Sequence, residues 1–118
     1  MNNNRSSLAE AYFRFLQLAM TFQADPSEAA MDANERALLE AVALRWFEDE
    51  PMTVREAIAL ESLGSPATLH KRITRLRQKD MLVAFNQEGD RRAKYLIPSE
   101  KTLAFFDHMG HNMQKVQT

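Results

Sequence analysis

The sequence predicts a mainly α fold of the α+β class, with one two-stranded hairpin and a helix at each end of the chain. Three observations support this class. The 118 residues include three glycines and four prolines, too few for a fold built on many β-turns. Apolar residues recur at helical spacing in several segments, and strand-like segments are confined to one region. Capping patterns of the type Ser/Thr/Asp-x-x-Glu precede three of the helical segments.

The N-terminal part is predicted to form two helices. Residues 1–6 are polar and expected to be disordered, and a capping pattern at Ser7 begins a helix over residues 7–23. Apolar residues extend beyond one face of this helix, so it needs more than one packing partner. After a break at residues 25–27, a capping pattern at Asp32 begins a second helix, which ends at an acidic run.

Two closely joined helices are predicted next. Thr53 caps the first, which is expected to stop near Gly64. Ser65 caps the second and places Pro66 in its first turn, where the missing N–H costs nothing. Two helices joined by so tight a turn form a helix-turn-helix.

The pattern changes to strands after the second of these helices. Residues 81–85 and 94–97 are predicted to pair as a hairpin, with Gly89 available for a position of positive φ in the connecting turn. A last helix is predicted over residues 99–115, capped by Ser99.

Charge is segregated along the chain. Residues 65–97 hold eight of the fifteen Lys and Arg residues and three of the sixteen acids, which gives this segment a net charge of +5 in a chain of net −1. Residues 1–64 carry a net charge of −6. Such asymmetry indicates a polyanionic partner for one surface and predicts a nucleic-acid-binding face.

The second helix of the helix-turn-helix has two contrasting sides. On a helical wheel of about 100° per residue, Leu69, Ile73 and Leu76 form a stripe expected to be buried. The opposite side is polar and basic, with short residues near the N-terminus that let the backbone approach a major groove. By itself this pattern is equally typical of a solvated amphipathic helix. The candidate DNA-binding residues of this helix and its cap are Ser65, Ala67, Thr68, His70, Lys71, Thr74 and Arg75.

The hairpin tip adds a second cationic element. Paired arginines, Arg91 and Arg92, could lay a guanidinium into a minor groove, where the negative potential is strongest. Adjacent residues of a strand point to opposite faces, so both cannot insert. We expect Asp90 to hold one of them through a bidentate ion pair, and Lys94 to reach a phosphate. The alternative is an ordinary polar hairpin whose charges serve solubility.

This order of elements, with the strings SPATLHKRITRLRQKDMLV and DRRAKYLIPS, resembles the winged helix-turn-helix transcription regulators of the MarR family. The resemblance is motif-specific over residues 53–99 and architectural outside them. It implies a two-stranded wing and flanking terminal helices that form a dimer. Asp90 and Arg92 match the Asp-x-Arg of the family's wing, which assigns Arg92 to the minor groove. The chain departs from the family at Asp80, where glycine is usual, at Ser99, where threonine is common, and in its short terminal helices.

The resemblance and the charge pattern together predict a bacterial, cytoplasmic regulator that binds double-stranded DNA as a homodimer. Residues 7–118 are predicted to form one winged-helix domain, with residues 53–99 as its DNA-binding core and helices 7–23 and 99–115 for dimerisation. The terminal helices have more apolar residues than a monomer of this size can cover. The candidate interface residues are Phe13, Leu16, Met20, Leu103, Phe105, Phe106 and Met109.

Other functional classes have little support in the sequence. It has no cysteine, no nucleotide-binding glycine motif and no nucleophile motif, so we expect neither an enzyme nor a cofactor. His108 and His111 alone make a poor metal site. No apolar run is long enough for a membrane span. The alternative function is a winged-helix module that docks an acidic protein without a DNA target, although basic residues on both the helix and the hairpin favour DNA. Any small-molecule effector is left open.

Overall fold

The structure, a computed structural model, describes residues 7–24 and 31–117. The predicted disorder of residues 1–6 and the predicted break at residues 25–27 lie outside the described residues. The elements are, in chain order, α1 (Ser7–Ala24), α2 (Ala33–Phe47), α3 (Val54–Ile58), a 3₁₀ turn (Glu61–Leu63), α4 (Pro66–Gln78), β1 (Leu82–Phe85), β2 (Tyr95–Pro98) and α5 (Glu100–Gln117).

The chain divides into two compact units. The terminal unit comprises Met1–Ala30 and Phe105–Thr118, and the central unit comprises Met31–Ala104. The helix-turn-helix and the hairpin both lie in the central unit. The predicted domain limits and their division of labour stay predictions.

The first helix of the central unit begins as predicted. The backbone N–H of Glu35 donates to Oδ1 of Asp32 at 2.7 Å, and the N–H of Asp32 donates back to Oε1 of Glu35 at 3.1 Å. This reciprocal capping box satisfies two donors that a helix start leaves free. From there α2 contributes Leu38, Leu39 and Val42 to the core, all fully buried.

The helix-turn-helix differs in one detail from the prediction. Its first helix ends at Ile58 instead of continuing to Gly64, and the 3₁₀ turn fills the difference. Gly64 has a φ of 149°, and a Cβ at this position would lie 3.2 Å from Nη1 of Arg72. That guanidinium donates to the carbonyl of Leu63 at 2.8 Å. A glycine and an inward-directed arginine therefore fix the turn.

The second helix packs as its pattern predicts. Leu69, Ile73 and Leu76 of α4 are buried, which confirms the predicted stripe. α4 contacts α2, α3 and β1, so three elements hold its position.

The hairpin is antiparallel, with Val83 opposite Ile97, and Gly89 has a φ of 85° as predicted for its turn. A third segment pairs with the other edge of β2, because the N–H of Leu96 donates to the carbonyl of Met52 at 2.8 Å. This pairing joins the entry of the helix-turn-helix to the hairpin, and the sequence did not indicate it.

The corner between α4 and β1 is closed by the start of α5. Asp80 has a φ of 59°, the left-handed conformation that usually takes glycine. The hydroxyl of Ser99 donates to the carbonyl of Asp80 at 2.6 Å, and that of Thr102 donates to the carbonyl of Met81 at 2.6 Å. Ser99 also accepts from the N–H of Thr102 at 3.1 Å, which confirms its predicted capping role.

The terminal unit presents an apolar helix. In α1, Leu18 is buried, whereas most of its other large apolar side chains are exposed. Ser7 is the first residue of α1 and so lies inside the helix instead of before it. α5 continues through Gly110 to Gln117.

Candidate nucleic-acid interface

The predicted recognition face of α4 lies on the surface of the central unit. Its side chains surround no buried residue, because the buried stripe occupies the other side of the helix. Thr68 is half-buried. The exposed members of the predicted set are Ser65, Ala67, His70, Lys71, Thr74 and Arg75.

Two hydroxyls at the start of α4 are used within the protein. Oγ of Ser65 accepts from the N–H of Thr68 at 3.3 Å and donates to Oγ1 of Thr68 at 2.9 Å. This pair caps the helix and leaves the hydroxyl proton of Thr68 free to donate outward. Ser65 therefore acts first as a cap, and Thr68 retains the stronger capacity to bind a ligand.

Thr74 is partly committed as well. Its hydroxyl donates to the carbonyl of His70 at 3.0 Å, a bond to the preceding turn of the same helix. What remains is an acceptor lone pair and a methyl group. That combination suits the exocyclic amine of adenine or cytosine, or the methyl group of thymine.

The cations of residues 65–97 separate into two groups. Arg72 binds the carbonyl of Leu63, and Lys79 pairs with Glu35, so two of the eight serve the fold. The other six are exposed and form no ion pair within the described part of the chain. They are Lys71, Arg75, Arg77, Arg91, Arg92 and Lys94. The surface thus presents six cations without local neutralisation.

The hairpin tip corrects one prediction. Asp90 forms no ion pair with either neighbouring arginine; its Oδ1 accepts the backbone N–H of Arg92 at 2.9 Å and that of Ala93 at 3.4 Å. Asn86 closes the same loop by donating to the carbonyl of Ala93 at 2.8 Å. A carboxylate beside two main-chain donors satisfies them before it meets a mobile guanidinium. Asp90 therefore sets the backbone of the tip, and Arg91 and Arg92 remain exposed.

A groove between α4 and β1 was missed by the sequence reasoning. It has a volume of about 400 Å³ and is lined by Thr74, Arg77, Gln78, Leu82, Val83 and Ala84. On the helical wheel Arg77 lies about 80° from Leu69, at the flank of the buried stripe, so it was not assigned to the recognition face. The signal that could have found it is the strand that directly follows α4.

The predicted interface residues of the terminal helices differ in exposure. Phe13, Leu16 and Met20 of α1 are exposed, whereas Phe105 and Phe106 of α5 are half-buried with their ring centroids 5.6 Å apart. Leu103 is exposed at the edge of that class. Met109 is only 6% exposed. It therefore has almost no surface to offer a partner, and we remove it from the candidate interface.

Two further searches concern the described residues only. They contain no group of three or more His, Asp or Glu side chains arranged to hold a metal ion. None of their helices is both long and apolar enough to cross a membrane.

Comparison with solved structures identifies the fold as the MarR-like winged helix. A MarR-like transcriptional regulator from Thermotoga maritima aligns over 97% of this chain and 79% of its own, with 19% identity and a TM-score of 0.65. NadR in complex with 4-hydroxyphenylacetate aligns over 98% of this chain and 79% of its own, with 14% identity and a TM-score of 0.58.

BpsR of Bordetella bronchiseptica, whose DNA binding is regulated by 6-hydroxynicotinic acid, aligns over 99% of this chain and 80% of its own, with 14% identity and a TM-score of 0.54. No protein-family model and no curated protein sequence matches the chain. The likeness is therefore one of fold, and at that level the predicted MarR-like winged helix is confirmed.

Proposed function

We propose that this protein is a sequence-specific transcription regulator that binds double-stranded DNA as a homodimer. α4 enters a major groove, and the tip of the hairpin enters the adjoining minor groove. The observation that carries this proposal is the set of six exposed, unpaired cations on α4 and the hairpin. Transcriptional regulators with the same fold support it.

The chemistry of the face matches a nucleic acid better than an acidic protein. Cations occur on two elements whose spacing suits two grooves of one duplex, and neutralising phosphates releases counterions from DNA. Lys71 and Arg75 reach base edges or phosphates from α4, while the Thr74 methyl and lone pair read a base edge. The narrow minor groove takes one guanidinium, which we assign to Arg92, and Arg91 and Lys94 bind phosphates.

The dimer is proposed from the apolar surface of the terminal unit. Phe13 is 54% exposed and Met20 is 70% exposed on α1, far more than a water-facing helix normally tolerates. The same unit has a cavity of about 460 Å³ whose lining includes Phe15, Leu18 and Met113. A second copy of the chain would cover both features by the same surface. Two recognition helices would then meet half-sites about 10 bp apart, or a multiple of that.

The test has two steps. Duplexes are first selected from a random-sequence library by the full chain, and affinity is then measured by fluorescence anisotropy for the selected and for a random duplex. The joint replacement of Lys71, Thr74 and Arg75 by alanine should abolish the preference for the selected duplex. Arg45→Gln is the matched control, because Arg45 lies on α2 and binds Glu50.

The outcome separates the two functional classes. A selected duplex bound no better than a random one would argue against sequence-specific regulation. If the unmodified chain binds no duplex, the protein-docking winged helix becomes the better explanation, and a co-purified protein partner should then lose binding on replacement of the same three residues.

A further inference from the structure

The groove between α4 and β1 has two unlike walls. The helix contributes the polar side chains of Thr74, Arg77 and Gln78, all exposed. The strand contributes Val83, a large apolar side chain that is 41% exposed although it lies on a short, ordered hairpin. An exposed valine beside an exposed arginine is a surface with one cationic and one apolar contact point.

The cation in this groove is available to a ligand. Arg77 makes no ion pair within the described residues, and the hydrogen bond to its carbonyl involves the main chain alone. The positive charge at the end of α4 is not an internal cap in the way that Lys79 is. A free guanidinium at the rim of a groove binds oxyanions with two parallel N–H donors, and phosphate is the oxyanion that best matches them.

The two walls together match a particular repeating unit. A sugar–phosphate backbone presents a charged phosphate and, next to it, the apolar face of a deoxyribose. Arg77 and Gln78 supply donors for the phosphate, and Val83 supplies apolar contact for the sugar. The groove also shares Thr74 with the proposed recognition face, so a strand that leaves the major groove would pass directly over it.

We infer that this groove seats one sugar–phosphate strand of the bound duplex, with Arg77 as a phosphate ligand and Val83 as the contact for the adjacent deoxyribose. The inference rests on the proposed DNA-binding function and adds a site that fixes the register of α4 without reading sequence. Phosphate contacts position a protein on DNA, whereas contacts to base edges supply specificity. Arg77 should therefore raise affinity equally for all sequences.

The first experiment compares Arg77→Gln and Arg77→Lys with the unmodified chain on the selected and the random duplex over a range of salt concentrations. Arg77→Gln should weaken binding roughly tenfold on both duplexes and reduce the slope of log affinity against log salt by about 0.9. Arg77→Lys keeps the charge and should keep the salt slope. A loss on the selected duplex alone would mean that Arg77 reads a base, which overturns the inference.

The second experiment tests the apolar wall with a matched pair at Val83. Val83→Asp places a negative charge beside the phosphate and should weaken binding to both duplexes at least about tenfold. Val83→Thr keeps the shape and should bind like the unmodified chain. Thermal unfolding confirms that each variant is folded, and Arg77→Gln provides an independent readout if Val83→Asp is not.

The failures of the two proposals are distinguishable. If Arg77→Gln and Val83→Asp bind both duplexes normally while the triple α4 replacement does not, the groove is wrong and the proposed function stands. If those two variants keep their DNA affinity but lose binding to a polyglutamate peptide, the groove is a peptide site instead. If the unmodified chain binds no duplex, both proposals fail.

Discussion

Nζ of Lys79, at the C-terminal cap of α4, lies 2.8 Å from Oε1 of Glu35, in the first turn of α2. Glu35 is 2% exposed, and its Oε2 is buried without a hydrogen-bond partner. The side chain of Lys79 is 32% exposed. The pair thus ties the end of the proposed recognition helix to the helix behind it, at a point where one carboxylate depends on one ammonium.

Removing the ammonium should destabilise the protein more than removing the carboxylate charge. Lys79→Met leaves a buried carboxylate without its cation and should lower the free energy of unfolding by about 2 kcal/mol. Glu35→Gln should lower it by less, because the amide oxygen can still accept from the N–H of Asp32 and Lys79 can turn to solvent. Urea unfolding of both variants measures the difference, and an equal or greater loss for Glu35→Gln would contradict this account.

Asp80 is predicted to be a stabilising substitution site. Its left-handed backbone is unfavourable for a residue with a Cβ, and its negative charge lies at the negative end of the α4 dipole. Asp80→Gly should therefore raise the free energy of unfolding by about 0.5 kcal/mol, after the larger entropy of the unfolded glycine is subtracted. Asp80→Asn removes the charge alone and serves as the control. A glycine variant less stable than the asparagine variant would show that the backbone is not strained.

The hairpin tip gives a test of how Asp90 acts. Because its Oδ1 accepts two backbone N–H groups, asparagine can replace it, whereas alanine cannot. We expect Asp90→Asn to bind DNA with nearly unchanged affinity and Asp90→Ala to bind several-fold more weakly. Anisotropy with the selected duplex measures both. If Asp90→Asn is as weak as Asp90→Ala, the charge itself matters, and an ion pair to an arginine forms in the complex.

The cap of α3 should make a small contribution to acid sensitivity. The backbone N–H of Thr53, which donates to Oε1 of Glu56 at 2.9 Å, holds the pKa of Glu56 below its usual 4.5. A lowered pKa in the folded state contributes stability above the usual value and loses it as the pH falls through the folded value.

This contribution can be isolated with Glu56→Gln, which retains an acceptor for the Thr53 N–H but does not titrate. At neutral pH the variant should be less stable by on the order of 0.5 kcal/mol, since the carboxylate is exposed and screened. The difference should vanish as the pH falls below 4.5. Unfolding free energies measured across this range check the trend, and a gap that widens with acid would reverse the sign of the argument.

The proposed dimer depends on α1. Replacing Phe13 and Met20 by lysine should shift the chain to monomers in sedimentation equilibrium, because two exposed apolar side chains would become charged at the contact. Phe47→Lys is the matched control: Phe47 is 77% exposed but lies on α2 in the central unit. A monomeric unmodified chain, or a dimer lost only with Phe47→Lys, would place the interface elsewhere.

The sequence by itself determined the features that depend on neighbours along the chain. The buried stripe of α4 follows from the spacing of Leu69, Ile73 and Leu76, because a helix has a fixed period. The capping box at Asp32 and the positive φ at Gly89 follow from residue types that suit one local backbone. The segregation of charge was also legible, since all eight cations lie within residues 65–97.

The tertiary structure decided which of those residues are free to act. Lys79 and Glu35 are 44 residues apart in the chain, so no local pattern reveals that this lysine is committed to the fold. Asp90 meets two backbone donors before it meets an arginine, and Met109 is buried despite its place on an apolar helix. Arg77 gains a role only because β1 folds back beside α4. Helical period and capping are set by sequence neighbours, whereas burial and partnership are set by contacts between residues that folding brings together.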